Sequence, residues 1–388
     1  MSLKSFVFAT PTKIKYGPGV AESVGEEVKG FNAKRVLIVT DKGIIKAGLV
    51  DKVLKSLKAT KLDTVVFDEV EPNPKDRDVE KGAALAKEKG IDLIVAVGGG
   101  SVMDSAKGIG SLVTNKGSLR DYWGLDTLSK PPLPLIAIPT TAGTGSEITM
   151  WAVIDDTSRK RVTKEYIGGR LICPSLALVD PLMTKNLPPK LTASTGMDAL
   201  THAIEAYTSI PASPLTDALA LYSIRLIANN LGKAYANGDN LEARDNMMVA
   251  SLMAGLAFSN SDTAGVHVMA ETAGGLYDCP HGIACAVFLP YVMEYNLIAN
   301  PEKFADIAEA MEENVTGLSI KEASRKSVDA VKKLLLDIDI TLNAAKFGVR
   351  KEDIAWLAKK AAANIGAIDN PRKLREEDFI KMFELAMG

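Results

Sequence analysis

The sequence predicts an α/β fold for the first half of the chain and an all-helical fold for the second half. Three observations lead to this prediction. Short apolar strand patterns alternate with amphipathic helical patterns up to about residue 186, strand patterns then stop, and a proline-rich segment at 182–191 separates the halves. We therefore expect an α/β domain with a parallel sheet over residues 1–186 and an all-α domain over 187–388, with the active site in the cleft between them.

The predicted strands are short apolar runs without polar alternation, as expected for strands that helices cover on both faces. They lie at residues 35–40, 64–67, 92–97, 134–140 and 176–180. The segments between them, such as DVEKGAALAKEKG closing on Gly90, have the spacing of amphipathic helices. Strand, helix and strand at this spacing indicate right-handed crossovers between parallel strands.

The second half carries helix boundary signals instead. Ser213 and Pro214 predict an N-cap and a first helical position, and Gly232 is expected just past the end of the same helix. Ser319 and Glu322 form the pattern of a capping box at the start of another helix.

Composition excludes several classes of protein. The 388 residues are 47% hydrophobic and 24% charged, with a formal net charge of -2, so nucleic-acid and membrane partners are not expected. The three cysteines are too few and too scattered for a disulfide framework, which favours a reducing, cytoplasmic location. A homo-oligomer is expected, and among oligomers a dimer is favoured because dimers are the commonest assemblies.

Two loops that follow predicted strands indicate a phosphate-binding site. The first comprises Gly98, Gly99, Gly100 and Ser101. Its glycines let the backbone approach a pyrophosphate, and the helix that follows, with Asp104 in its first turn, supplies free N–H groups. The second loop, PTTAGTGSE, offers the hydroxyl groups of Thr140, Thr141 and Thr144. An ordinary strand-to-helix turn is the alternative, although such a turn seldom has three successive glycines.

An acidic residue, Asp41, ends the first strong strand. A carboxylate at this place can accept hydrogen bonds from an adenosine ribose and would repel a 2′-phosphate, which favours NAD over NADP. The adjacent Lys42 weakens that exclusion, so NADP remains the less favoured alternative.

The only three histidines of the chain, together with one aspartate, have the pattern of a metal site. Asp198 and His202 lie four residues apart in a helical pattern, and His267 and His281 follow within 80 positions. One carboxylate and three imidazoles suit Fe(II) or Zn(II), but histidines satisfied within a core are the alternative. Cys279 could act as a soft ligand, although a small buried hydrophobic residue is the expected role.

The motifs GGGSVMDSAK, PTTAGTGSE, DALTHAIEAY and the His-x13-His spacing ending in PHG resemble the iron-containing (group III) alcohol dehydrogenase family. The resemblance covers essentially the whole chain. It implies that Asp198, His202, His267 and His281 bind the metal, and that the glycine and threonine loops bind a nicotinamide dinucleotide. It further places Asn73 beside the cofactor and Lys164 near the nicotinamide, within a segment, DDTSRKRVTKEYIGG, that the sequence pattern predicts to be irregular.

One departure from the family pattern concerns Glu271. The family commonly has a second histidine at this position, which is thought to relay a proton. A carboxylate one helical turn after His267 could serve as that relay, orient a ligated water or be a fifth ligand. A supporting polar residue is the alternative.

The resemblance implies a metal-dependent oxidoreductase that interconverts alcohols and aldehydes or ketones by hydride transfer to and from NAD(P). The metal, iron or zinc, would polarise the substrate oxygen. One alternative is a dehydroquinate synthase-like lyase or cyclase that uses NAD transiently, and another is a non-catalytic binding module. The residues leave the physiological alcohol and the reaction direction open.

Overall fold

The computed structural model describes residues 5–388, so residues 1–4 of the predicted first domain lie outside the described residues. The chain divides into two compact units. One is Thr10–Leu187, and the other consists of Pro188–Gly388 with the described residues before Thr10. Among residues 5–388, none of the helices combines the length and the apolar character needed to cross a membrane.

The Thr10–Leu187 unit has the predicted α/β fold. Its strands are β1 Lys13–Tyr16, β2 Arg35–Val39, β3 Asp63–Phe67, β4 Leu93–Gly98, β5 Gly124–Leu125, β6 Leu135–Pro139, β7 Trp151–Asp156, β8 Thr163–Gly168 and β9 Leu176–Val179. Its α-helices are α1 Val24–Glu27, α2 Lys42–Lys46, α3 Leu49–Lys58, α4 Asp76–Lys89 and α5 Gly100–Thr114. Six strands form one sheet in the order β1-β9-β6-β4-β2-β3, and every pair in it is parallel.

The burial of strand β4 on both faces explains why its sequence is apolar throughout. Leu93, Val95 and Val97 belong to the hydrophobic core on one face of the sheet. The alternate residues Ile94 and Ala96 belong to a second core on the opposite face. Since successive side chains point to opposite faces, a strand covered on both sides has no polar position to alternate with.

A second, three-stranded sheet was missed by the sequence pattern. It has the order β5-β8-β7, with β7 and β8 antiparallel and Asp155 paired with Lys164. The prediction that the segment DDTSRKRVTKEYIGG is irregular is therefore wrong where the segment contributes to β7 and β8. Strand β8 is rich in charged and polar residues, so its hydropathy resembles that of a loop, and only its pairing with β7 makes it a strand.

The Pro188–Gly388 unit contains nine α-helices within the described residues: α6 Pro189–Thr208, α7 Pro214–Ala236, α8 Leu241–Phe258, α9 Gly265–Tyr277, α10 His281–Asn296, α11 Pro301–Ala310, α12 Ile320–Asp337, α13 Ile354–Ala362 and α14 Glu376–Met387. The predicted Ser213 cap of α7 and the Ser319–Glu322 capping box of α12 are confirmed. The predicted end at Gly232 is wrong, because α7 continues to Ala236. A single glycine costs a helix only about 1 kcal/mol, which packing elsewhere along α7 outweighs.

Candidate functional site

Three helices of the Pro188–Gly388 unit bring the predicted metal ligands near one another. Asp198 and His202 are buried on α6, His267 lies in the first turn of α9, and His281 is the first residue of α10. Cys285 follows His281 by one helical turn and is fully buried. The side chains at i and i+4 on α6 and on α10 each leave the same face of their helix.

Four of these side chains place one donor atom each within 4.8 Å of all the others: Asp198, His267, His281 and Cys285, here called the donor cluster. Asp198 Oδ1 lies 3.8 Å from His267 Nε2 and 3.6 Å from His281 Nε2. Cys285 Sγ lies 3.6 Å from His281 Nε2. The arrangement joins oxygen, nitrogen and sulfur donors in one small, largely buried volume.

His202 is not one of the four. Its ring stacks on that of His267, with centroids 4.3 Å apart and planes inclined by 23°. It also stacks on Phe258, at 4.1 Å and 10°. The structure therefore places His202 beside the donor cluster, and its role as a ligand stays a prediction.

Glu205, one turn beyond His202 on α6, is a buried carboxylate that the sequence reasoning missed. Its Oε2 lies 2.5 Å from His267 Nδ1, and its Oε1 accepts a hydrogen bond of 2.6 Å from the backbone N–H of Val266. A carboxylate on Nδ1 favours the tautomer that carries its proton there, so that Nε2 can act as a ligand. A glutamate inside an otherwise apolar helical stretch was the sequence signal that could have identified it.

Electrostatics in the donor cluster follow from burial and from the neighbouring rings. Burial raises the pKa of Asp198, but the nearby imidazoles outweigh burial and hold that pKa below its ordinary value. Burial lowers the pKa of His267, yet the acidic groups around it raise that pKa well above its usual range. Burial raises the pKa of the Cys285 thiol to about 12. The ionised Asp198 is thus the group that most favours a cation here.

The donor cluster fits a divalent metal. Asp198 Oδ1 and His267 Nε2 are both buried and have no hydrogen-bond partner within the described residues. Buried polar atoms without a partner are costly, and a coordinated cation would satisfy both atoms at once. Carboxylate, imidazole and thiol groups are the donor types that Zn(II) and Fe(II) accept in proteins.

Glu271 lies on α9 one turn after His267, as the sequence indicated. Its Oε2 accepts a hydrogen bond of 3.0 Å from Asn364 Nδ2. This contact holds one carboxylate oxygen in place through a neutral amide donor. The role of Glu271 as a proton relay stays a prediction.

The two predicted phosphate-binding loops meet in the Thr10–Leu187 unit. A Cβ added at Gly99 would lie 3.3 Å from the side chain of Thr141, and one added at Gly100 would lie 2.7 Å from Thr144. The backbone N–H of Thr140 also donates to the Gly98 carbonyl at 3.0 Å. The close approach of the threonine loop therefore requires a glycine at Gly100 and leaves little room for a side chain at Gly99. Ser101 follows in the first turn of α5.

These loops fit a dinucleotide cofactor. The hydroxyl oxygens of Thr140 and Thr141 are buried and have no hydrogen-bond partner among the described residues. The first turn of α5 presents its N–H groups at the same end of the sheet, directly after β4. Free N–H and O–H donors around a turn without side chains suit phosphate oxygens.

Asp104, on α5, makes two hydrogen bonds within the Thr10–Leu187 unit. Its Oδ1 accepts a hydrogen bond of 2.6 Å from the Ser146 hydroxyl, and its Oδ2 accepts one of 3.0 Å from the backbone N–H of Val153. Both oxygens are thus used within the protein. Asp104 ties α5 to the threonine loop and to β7, so its predicted contact with a cofactor stays untested.

Asp41 and Lys164 are both held in place by their neighbours. Asp41 caps α2, since its Oδ1 accepts a hydrogen bond of 2.9 Å from the backbone N–H of Ile44. Lys164 Nζ lies 3.1 Å from Asp155 Oδ1 and 3.2 Å from Asn73 Oδ1. Asn73 and Lys164 therefore contact each other, and their places beside the cofactor and the nicotinamide stay predictions.

Comparison with known proteins gives matches along nearly the whole chain. Residues 11–181 match the model of the iron-containing alcohol dehydrogenases, and residues 192–387 match that of the C-terminal part of the Fe-containing alcohol dehydrogenase family. The chain is 48% identical to a 1,3-propanediol dehydrogenase of Citrobacter freundii, with 100% of both chains covered. It is 41% identical to an NAD-dependent methanol dehydrogenase of Bacillus methanolicus, covering 98% of this chain and 99% of the relative.

A solved structure is similarly close. The crystal structure of a 1,3-propanediol oxidoreductase superimposes with a TM-score of 0.96 at 47% identity, covering 99% of this chain and 100% of that chain. None of these matches supports the dehydroquinate synthase-like alternative.

Proposed function

Because this chain belongs to the iron-containing alcohol dehydrogenase family, we propose that it oxidises short-chain primary alcohols with NAD, and 1,3-propanediol foremost. Its membership makes it an oxidoreductase that interconverts alcohols and aldehydes with a nicotinamide cofactor and a metal. The substrate proposal rests on the relative from Citrobacter freundii, which is similar over its full length. The observation that carries the proposal is the donor cluster, in which two buried donor atoms have no hydrogen-bond partner among residues 5–388.

Asp198, His267 and His281 would hold the divalent metal, with His202 as the further ligand that the family resemblance implies. When bound, the metal makes the alcohol proton easier to remove and the nicotinamide accepts the hydride. The protein supplies the orientation of these groups. Glu205 holds the His267 ring through Nδ1, so Nε2 faces the other donors without rotation of the side chain.

The glycine and threonine loops would bind the cofactor's phosphates. The N–H groups at the start of α5 and the hydroxyl groups of Thr140 and Thr141 would donate hydrogen bonds to the anionic oxygens. Asp41 would accept hydrogen bonds from the hydroxyl groups of the adenosine ribose, since its capping bond from Ile44 holds the carboxylate just after β2. This placement favours NAD over a cofactor that carries a 2′-phosphate.

Lys164 would orient the nicotinamide end of the cofactor. Its ammonium has three N–H donors, and Asp155 and Asn73 accept two of them. We assign the third to an oxygen of the cofactor or substrate. Glu271 would pass the alcohol proton toward solvent, with Asn364 holding one of its oxygens.

The test is NADH formation by anaerobically purified protein from 1,3-propanediol, 1,2-propanediol and 1-butanol. The assay is run before and after chelation, with Fe(II) or Zn(II) added back. We expect activity that disappears on chelation and returns with one of the metals. Failure to form NADH from any alcohol, despite bound NAD and metal, would contradict the proposal.

A further inference from the structure

Asp155 lies in the middle of a row of three charged side chains in the Thr10–Leu187 unit. It is paired with Lys164, since β7 and β8 run antiparallel in that register. On its other side it forms a parallel bridge with Lys75, and its backbone N–H donates to the Pro74 carbonyl at 2.8 Å. Directly paired residues place their side chains on the same face of a sheet, so the carboxylate of Asp155 lies between two lysines.

The Asp155 carboxylate accepts hydrogen bonds from both lysines, one with each oxygen. Its Oδ2 accepts from Lys75 Nζ at 2.7 Å, and its Oδ1 accepts from Lys164 Nζ at 3.1 Å. The three side chains expose between 1% and 9% of their surface. Two buried ammonium groups therefore share one buried carboxylate, and loss of that carboxylate would leave two like charges close together.

Asn73 supports Lys164 from a third segment of the chain. Its Oδ1 accepts a hydrogen bond of 3.2 Å from Lys164 Nζ. Its backbone has a φ of 52°, in the left-handed region that asparagine adopts more readily than most residues. The contacts of Asp155 with Pro74 and Lys75 hold the segment that carries this turn. Asp155 therefore holds Lys164 directly and also holds the segment that provides its second acceptor.

We infer that Asp155 is a positioning residue for the nicotinamide end of the cofactor and acts through Lys164. The inference rests on the proposed function, in which the third N–H of Lys164 is directed at an oxygen outside the protein. The three N–H bonds of an ammonium group have fixed angles, so the two that Asp155 and Asn73 accept determine the direction of the third. Lys75 holds the other oxygen of the carboxylate, which keeps Asp155 from turning away from Lys164.

The test compares two ligands in calorimetric titrations of the metal-loaded full chain. NADH carries the nicotinamide, whereas ADP-ribose has the adenosine and both phosphates without it. Asp155→Ala should raise the Kd of NADH by about tenfold or more, the order of magnitude for the loss of one hydrogen bond to a charged group. The Kd of ADP-ribose should stay as in the wild type, because a local change at Lys164 leaves the phosphate loops intact. A general loss of structure would weaken both ligands.

Asp156 offers a matched control on the same strand. It is also buried, and as the next residue of β7 it points to the opposite face of the sheet. Its carboxylate likewise has two cationic partners, Arg159 Nε at 2.9 Å and Arg120 Nε at 3.5 Å. Asp156→Ala should therefore leave the ratio of the two Kd values unchanged. An equal rise of the NADH Kd in both variants would overturn the inference.

A double variant tests the electrostatic part of the argument. Adding Lys75→Met to Asp155→Ala removes one of the two ammonium groups that repel each other. NADH binding should recover by at least about threefold over Asp155→Ala, the low end for two unit charges a few ångströms apart. No recovery would contradict the role given to Lys75.

The outcomes separate this inference from the proposed function. Wild-type protein that binds neither ligand contradicts the proposed function and the inference with it. Wild-type protein that binds NADH, with an Asp155→Ala variant that weakens NADH and ADP-ribose by the same factor, contradicts the inference alone. Should Asp155→Ala fail to fold, the double variant is compared with Lys75→Met, from which it differs only at Asp155. A selective loss of NADH affinity in the double variant supports the inference, and an equal ratio of the two Kd values overturns it.

Discussion

Glu205 Oε2 lies 2.5 Å from His267 Nδ1, and both side chains are buried. The same carboxylate accepts hydrogen bonds from two backbone N–H groups at the start of α9, those of Val266 and His267. Helix α6 therefore determines both the position of α9 and the ring orientation of its histidine. A contact of this kind makes metal affinity depend on a residue that does not touch the metal.

Glu205→Ala should weaken Zn(II) binding by about 10–100-fold, because the His267 ring loses the acceptor that selects its tautomer. Glu205→Gln keeps an acceptor oxygen, so its affinity for Zn(II) should fall less than that of Glu205→Ala. Chelator competition measures the affinity, and ¹⁵N NMR of the zinc-loaded protein reports the tautomer directly, since the chain has only three histidines. Unchanged affinity and tautomer in Glu205→Ala would show that the contact only supports the fold.

His267→Ala should remove both bound metal and turnover. Turnover is expected to fall by more than about a hundredfold, beyond the range for residues that only support a ligand. Metal content is measured by elemental analysis on protein whose folding is checked by circular dichroism. Full activity in this folded variant would refute the assignment of the metal site.

Glu271→Gln should shift the pH dependence of kcat while metal occupancy holds. The amide oxygen of glutamine can still accept from Asn364, so the contact remains while the titrating group is lost. Glu271→His, which introduces the family residue, should restore a titrating profile. A profile that is identical in the wild type and in both variants would favour a supporting role.

Asp41→Asn should raise the specificity constant for NADP relative to NAD by about fivefold. This is the effect of removing one screened charge repulsion of about 1 kcal/mol against the 2′-phosphate. Asparagine also keeps the side-chain oxygen that caps α2 through Ile44, so stability should change little. The control is Asp51→Asn, an exposed acid on α3. Equal NADP preference in both variants would contradict the role of Asp41.

Glu147→Gln should stabilise the protein at alkaline pH more than at acidic pH. Burial raises the pKa of Glu147 to about 7, and its Oε1 has no hydrogen-bond partner within the described residues. The folded state thus binds this proton more tightly than the unfolded chain does. The cost of ionisation therefore grows as the pH rises from about 4.5 to about 7 and is constant above that range.

The gain from Glu147→Gln should be about 2 kcal/mol larger near pH 8 than near pH 5, since one pKa unit corresponds to about 1.4 kcal/mol. Thermal or urea unfolding at the two pH values measures the difference. A gain or loss that is equal at both values would mean that the substitution acts through packing and not through ionisation.

The large sheet was predictable because each of its central strands is buried on both faces, which leaves a continuous apolar run in the sequence. The caps at Ser213 and Ser319 were predictable because they act within one helical turn. Strand β8 and the true end of α7 could not be predicted from the sequence. The charged β8 becomes a strand only through pairing with β7, and α7 continues past Gly232 because packing outweighs a local preference.

In the candidate metal site, spacing along one helix was enough to identify Asp198 and His202 as neighbours. His267 and His281 were identified as the only other histidines of the chain, and the family motifs agree with them. Cys285 and Glu205 emerged only from the packing of α6, α9 and α10. The sequence by itself thus determined the fold class, the family and the residue types of the site, because these depend on local periodicity and ordered motifs. Only the tertiary structure decided which atoms converge, because distances between residues 60 to 90 positions apart are determined by how helices pack, and no local pattern records that packing.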